Sequence, residues 1–177
     1  MANETDVILR PWKKSDREEL AALANDRRIW LNLRDQFPHP YHLEDADRFI
    51  DMALKMNPAT FRAIVVSGAL AGSIGYSLHR DVERIAAEVG YWVGIAYWGR
   101  GIATRAVRLI SGEAFSKHPE LRRLYAVPYC SNPASARVLE KAGWQREGVM
   151  RQSVIKDGVV LDQCLYAILR SEFEAGG

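Results

Sequence analysis

Apolar and polar positions along the chain switch between strand-like and helix-like spacing several times, and the switches outline the elements. The run Val7-Ile8-Leu9, followed by Arg10, Pro11 and Trp12, predicts an opening strand over residues 7–12. Ser15 with Glu18 three positions on signals a capped helix start, with Leu20, Leu23 and Ala24 as its apolar positions. Residues 33–42, broken by Pro38, His39 and Pro40, form a loop that could cover a site, and helical spacing resumes over 45–56 through Phe49, Ile50, Ala53 and Leu54.

Two strand-like runs, 61–66 and 70–78, flank the short Ser67-Gly68-Ala69 turn and should pair antiparallel. Residues 84–93 form the next strand, which breaks at glycines and enters a helix whose Ala103, Val107, Ile110 and Ala114 share one face. A short strand at 124–127 follows the Lys117-His118-Pro119 break, and Ser131 or Asn132 then opens a helix with Pro133 in its first turn and Gly143 at its end. The last runs, 144–155 and 159–169, flank Asp157-Gly158, a strong hairpin signal. No repeat, low-complexity segment or linker divides the pattern, so one domain over residues 1–177 is expected.

Composition narrows the function classes. The 177 residues are 48% hydrophobic and 26% charged, with 24 basic against 22 acidic side chains, as in a globular domain with a sizeable core. A net charge of +2 gives no reason to expect a nucleic-acid partner. Cys130 and Cys164 lack CxxC spacing and cannot build a zinc site, so reduced thiols in the cytoplasm are the simpler expectation, although two cysteines can also pair. Residues 1–6 show no basic flank or apolar core of a leader, and no segment has the length and apolarity of a membrane span. His39 and His42 form an HxxH pair without a third ligand, and no metal is expected.

The chemistry concentrates where the strand ending in Gly90-Tyr91-Trp92-Val93-Gly94 turns through Gly99 and Gly101 onto a helix. Glycines let backbone approach a ligand, and the first N–H groups of a helix lack internal acceptors, so the turn is an anion cradle for a phosphorylated cofactor. The stretch 99–104 has Thr104 where a dinucleotide fingerprint needs a third small residue, and it lacks the Gly-Lys-Ser/Thr ending of a P-loop. A tight strand-to-helix turn with no ligand explains the glycines about equally well.

The segments Ala87 to Val93, Trp98 to Thr104 and Cys130 to Trp144, in this order and spacing, resemble the GNAT superfamily of acetyl-CoA-dependent N-acetyltransferases. The likeness is to the branch similar to RimJ/RimL ribosomal-protein N-terminal acetyltransferases, and Leu9-Arg10-Pro11 and the Asp157-Gly158 hairpin also fit it. The resemblance implies an α/β (α+β) fold with a mixed, mostly antiparallel sheet of about seven strands flanked by about four helices. It implies that backbone N–H groups along Trp98, Gly99, Arg100, Gly101, Ile102, Ala103 and Thr104 hold the pyrophosphate of CoA, with Trp98 replacing the family's Gln or Arg. By the same likeness Val93, Gly94 and Ile95 pair with pantetheine amides, Asn132 bonds the pantetheine arm and Ser135 sits near the sulfur. Asn132 is also well explained as a helix cap, and Ser135 as an ordinary first-turn residue, so neither identifies a site by itself.

Acetyl transfer needs a neutral amine, a polarised carbonyl and a leaving thiolate. An α-amine titrates near pH 8 and a lysine amine near 10.4, so a weak base suffices for the former. Glu88 is the candidate base, since strand alternation puts it on the face of Gly90 and Trp92; a solvent-facing strand carboxylate, or a cross-strand ion pair with an arginine such as Arg80 or Arg84, is the competing reading. Many relatives carry a tyrosine acid seven residues after the helix-opening Asn, where this chain has Leu139. Arg100, Arg105 and Lys141 could reach CoA phosphates. Trp30, Phe37 and Tyr41, with Tyr91 on the strand, are candidates for the acceptor groove, and core packing explains the first three as well. The expected acceptor is a protein or peptide N-terminal amine; a small amine (polyamine, amino acid or antibiotic) and a non-catalytic CoA-binding module are the alternatives, and a homodimer is left open.

Overall fold

A computed structural model describes residues 6–176. Residues 1–5, which carry most of the leader question, lie outside the described residues.

Strand β1 (Val7–Arg10) pairs antiparallel with β2 (Phe61–Val66), in a register running from Val7↔Val66 to Arg10↔Ala63. The hairpin from β2 to β3 (Ala69–Leu78) closes at Val66↔Ala69, and Ser67 and Gly68 take φ values of 49° and 87°. Two left-handed central residues match the natural twist of paired strands, which is why this turn joins them.

The first helix starts for a different reason from the one its sequence suggests. A 3₁₀ turn, Lys14–Asp16, precedes α1 (Arg17–Ala24), and Ser15 and Glu18 are both exposed. Buried Asp16 organises the turn instead, accepting the Lys13 N–H at 2.9 Å and two bonds from Arg10 at 2.7 and 2.8 Å. An ionised carboxylate gripped by a guanidinium outcompetes a solvated hydroxyl for that role. A one-turn helix, α2 (Arg27–Trp30), is absent from the sequence reading because four residues carry no usable periodicity; Asp26 caps it through the Arg28 N–H at 2.8 Å. Helix α3 (Leu43–Lys55) begins two residues earlier than its apolar spacing suggests, because Asp45 accepts the His42 N–H at 2.8 Å.

The chain divides into two compact units, Met1–Gly75 with Tyr91–Ala106, and Tyr76–Gly90 with Val107–Gly177. The first unit buries Trp12, Leu20, Tyr41, Ile50, Val65 and Leu70 in one cluster, with Phe49 edge-on to Trp12 at 5.2 Å. In the second, β4 (Ala86–Val93, whose last residues belong to the first unit) pairs in parallel with β5 (Arg123–Ala126). Strand β5 then pairs antiparallel with β7 (Val159–Leu169), and β7 with β6 (Gln145–Lys156), around left-handed Asp157 and Gly158 as expected. Helix α4 (Ile102–Lys117) follows the glycine turn, α5 (Pro133–Lys141) follows β5, and α6 (Arg170–Ala175) ends the described chain.

Among the described residues the sheet order is β1-β2-β3-β4-β5-β7-β6, mixed because β4 and β5 run parallel, with six α-helices. The helices beyond the expected four are the shortest, α2 and α6. No helix among the described residues is long and apolar enough to cross a membrane.

The cysteines depart from the expectation of reduced thiols: Cys130 and Cys164 form a disulfide, with Cα atoms 5.1 Å apart. Residues 128–130 run as an extra antiparallel strip beside β7, through Cys130 N–H to Asp162 O and Cys164 N–H to Pro128 O, each 2.9 Å. Sequence spacing cannot reveal that strip, because it depends on a pairing between segments 34 residues apart.

Candidate functional site

The glycine turn lies within the first unit and is built from backbone. Strand β4 ends at Val93, Gly94 N–H donates to Ala71 O at 2.8 Å, and a 3₁₀ turn over Ile95–Tyr97 redirects the chain. Trp98 fastens that turn back onto the strand, its indole N–H donating to Val93 O at 2.8 Å. Gly99 and Gly101 then adopt φ of 72° and 74°, a region that side chains disfavour. Nothing lies within 4 Å of where a Cβ on Gly99 would sit. The N–H groups of Ile102, Ala103 and Thr104 open α4 without acceptors inside the helix, while the side chains of Ile102 and Thr104 are buried and Ala103 presents only a methyl group. Such a cradle fits a pyrophosphate.

Not every glycine here serves a ligand. A Cβ on Gly94 would stand 2.2 Å from Leu23 Cδ1, and one on Gly72 2.2 Å from Trp92 O, so these two permit close packing inside the unit. Arg100 turns back, donating to Ala96 O at 3.2 Å with its guanidinium 5.9 Å from the centre of the Tyr97 ring. Arg105 and Lys141 are exposed.

The aromatic candidates separate into two kinds. Tyr41 is buried in the core with Phe37 at 4.9 Å, and Phe37 meets Trp92 edge-on at 5.6 Å. Burial, with the Asp45 carboxylate near it, pushes the Tyr41 phenol far above its ordinary range, so it stays neutral. Trp30 and Tyr91 are half-buried, Trp30 lying between His39 at 5.8 Å and the Arg27 guanidinium at 5.9 Å.

The remaining candidates belong to the second unit. Asn132 caps α5, accepting the Ser135 N–H at 3.1 Å, and Pro133 occupies the first turn; the disulfide begins two residues upstream. Leu139, the position at which the resemblance implies a tyrosine acid in many relatives, is fully buried on that helix. Glu88 is half-buried on β4 and forms the last of three register pairs with β5, opposite Tyr125.

Around Glu88 lies a group that sequence reading missed. The Tyr125 hydroxyl and His79 Nε2 are 2.8 Å apart, with the rings nearly parallel at 7°. Arg123 lies 5.9 Å from the Tyr125 ring centre and pairs with Glu147 at 2.6 Å, holding that carboxyl below the usual carboxylate range. The alternation Arg123-Leu124-Tyr125-Ala126 marks Arg123 and Tyr125 as one face, but only the parallel register sets that face beside Glu88. Among the described residues no group of acidic, cysteine or histidine side chains is placed to hold a metal.

The family described as "Acetyltransferase (GNAT) domain" matches residues 6–145. Among curated relatives, the uncharacterized N-acetyltransferase YoaA of Bacillus subtilis is 35% identical over 101 residues, 57% of this chain and 56% of its own. The probable N-acetyltransferase YjcK of the same organism is 42% identical over 88 residues, 50% and 48% of the two chains. Its putative ribosomal N-acetyltransferase YdaF is 34% identical over 112 residues, 63% and 60%. The chain thus spans about half to three fifths of the length of these relatives. Among solved structures, RimL, a ribosomal L7/L12 alpha-N-protein acetyltransferase in complex with coenzyme A, superposes with a TM-score of 0.80 at 20% identity over 93% of this chain and 94% of its own. Spermidine N-acetyltransferase from Vibrio cholerae, with CoA and spermine, gives 0.77 at 20% identity over 96% and 99%. These structural likenesses establish the fold, and the family match over most of its length places this chain in the GNAT acetyltransferase domain family.

Proposed function

We propose that the chain is an acetyl-CoA-dependent N-acetyltransferase whose acceptor is the N-terminal α-amine of a protein or peptide. The observation that carries the reading is the backbone cradle at residues 98–104: two left-handed glycines opening α4 in a domain of this family. Family members that match parts of the chain include proteins named for ribosomal acceptors, which favours a peptide amine.

In this reading the N–H groups from Gly99 to Thr104 hold the CoA pyrophosphate, and the end of β4 at Val93 to Ile95 aligns the pantetheine arm. Acetyl-CoA supplies the activated acetyl group. Glu88 accepts the amine proton, Asn132 orients the arm and Ser135 offers a hydrogen bond to the departing sulfur. With leucine at position 139 no tyrosine acid is supplied from α5. A thiol of pKa near 8.5 departs as thiolate with little help, so positioning of amine and thioester carries most of the rate.

Thiol release from acetyl-CoA is the test, measured with peptides bearing a free or a blocked N-terminus and with spermidine. Release with the free peptide alone supports the proposal. Release with spermidine alone moves the acceptor to small amines, and acetyl-CoA binding without release from any acceptor points to a non-catalytic CoA-binding module.

A further inference from the structure

A base that takes a proton from each acceptor amine must lose it again before the next turnover. Resting on the acetyl-transfer reading above, we infer that Tyr125 and His79 carry this proton from Glu88 to solvent. Glu88 and Tyr125 are register partners on adjacent parallel strands, which lie about 4.8 Å apart with partner side chains on one face. His79 reaches the same face from the end of β3, where its N–H bonds Ala86 O at 3.2 Å. Ala86 precedes Glu88 by two positions and carries only a methyl group, so the Tyr125 phenol can cross β4 above it to His79 Nε2, 2.8 Å away. His79, Glu88 and Tyr125 are all half-buried, connected to solvent yet held in place.

The proton count closes. The Glu88 carboxylate takes the amine proton and passes it to the Tyr125 oxygen, directly or through one water. Tyr125 gives its phenolic proton to His79 Nε2, and the imidazolium releases the Nδ1 proton to solvent. The ring then carries its proton on Nε2, and exchange with water, one proton leaving Nε2 and one returning to Nδ1, restores the tautomer with Nε2 bare before the next turnover. Imidazole suits the last station because its two ring nitrogens let it take a proton on one and release a proton from the other. The charged groups near the relay are Arg123 on β5, its partner Glu147 on β6, and Glu172 on α6, whose carboxylate also acts on Arg123; β7 presents Ala167 and Leu169 opposite Tyr125 and Arg123. The turn after His79 holds Arg80, Asp81, Glu83 and Arg84, and Arg84 donates back to Asp81 O at 2.9 Å. Tyr125 and His79 act through Glu88 and are positioning residues.

The experiment compares the pH dependence of kcat for the full chain with that of H79Q and Y125F, together with acetyl-CoA binding by calorimetry. The relay predicts a loss of about tenfold or more in kcat at neutral pH in both variants, with unchanged acetyl-CoA affinity. It also predicts that both variants alter the pH profile of kcat in the same way, and that added imidazole restores H79Q but not Y125F. Folded variants that keep the wild-type rate and pH profile overturn the relay while leaving acetyl transfer standing. If H79Q does not fold, Y125F, which deletes one oxygen, decides by its profile alone. A wild-type chain that binds acetyl-CoA but turns over no amine overturns the acetyl-transfer reading, and the relay with it.

Discussion

The indole N–H of Trp98 donates to the carbonyl oxygen of Val93 at 2.8 Å, tying the glycine turn to the last residue of β4. Trp98 is 45% exposed, so the bond is a surface latch rather than part of a core. Replacing it with phenylalanine keeps an aromatic ring and removes the donor. W98F is expected to lose about 1 kcal/mol, a fall in Tm of about 3 °C, and to raise the KM for acetyl-CoA a few-fold with kcat unchanged. A large fall in kcat with unchanged KM would place Trp98 in the chemistry instead, and steady-state kinetics beside a thermal melt separates the two.

The two left-handed glycines of the turn make a sharper prediction. At Gly101 a Cβ is strained by the φ of 74°, and valine is the worst case because it is β-branched. G101V should weaken acetyl-CoA binding by tenfold or more through a displaced backbone, at a strain cost of about 1–3 kcal/mol. Gly148, on β6, has nothing within 4 Å of a Cβ and no positive φ, so G148A is the control that should bind normally. Calorimetric titration of both variants checks this, and full-strength binding by folded G101V contradicts the cradle.

Elements were legible in the sequence where a local pattern determines them: the 66–69 and 157–158 turns, the Asn132 cap and the apolar stripe of α4 all lie where side-chain chemistry puts them. What stayed hidden depends on partners distant along the chain. Asp16 displaced Ser15 because Arg10 reaches it, the disulfide needs a strip of residues 128–130 against β7, and Tyr125 meets Glu88 only through a parallel register. The candidate site divided the same way. Its glycines mark a candidate cradle, while the surroundings of its candidate base, Glu88, are tertiary.

Asp16 supplies a pH-dependent term. Burial alone would raise its carboxyl, but the Arg10 guanidinium and the Lys13 amide outweigh that and hold it below the usual carboxylate range. A depressed folded value contributes stability at pH above the unfolded value of about 3.9, and the contribution is lost as pH falls through the folded one. D16N should therefore cost about 3 kcal/mol at neutral pH, as for breaking a largely buried ion pair. The gap between wild-type and D16N melting temperatures should close in acid below about pH 4. A gap that is constant from neutral pH down to pH 3 contradicts this assignment.

The disulfide closes a segment of 34 residues that includes α5 and its Asn132 cap. Reduction, or C130S with C164S, should destabilise the chain by roughly 2–4 kcal/mol. Melting curves with and without reductant check the value, with the double serine variant insensitive to reductant. An unchanged melt on verified reduction would show that the strip of residues 128–130 holds without the covalent link.

The central claim is that this chain moves an acetyl group from acetyl-CoA to an amine, with a peptide N-terminus preferred. Mass spectrometry of an acceptor mixture is its most direct test: a peptide with a free α-amine, the same peptide N-terminally blocked but containing lysine, and spermidine, each incubated with the chain and acetyl-CoA. The account predicts the mass gain of one acetyl group on the free-amine peptide, located at its first residue by fragmentation, and loss of that product with G101V. No acetylated product from any acceptor, with acetyl-CoA bound and intact, would contradict it.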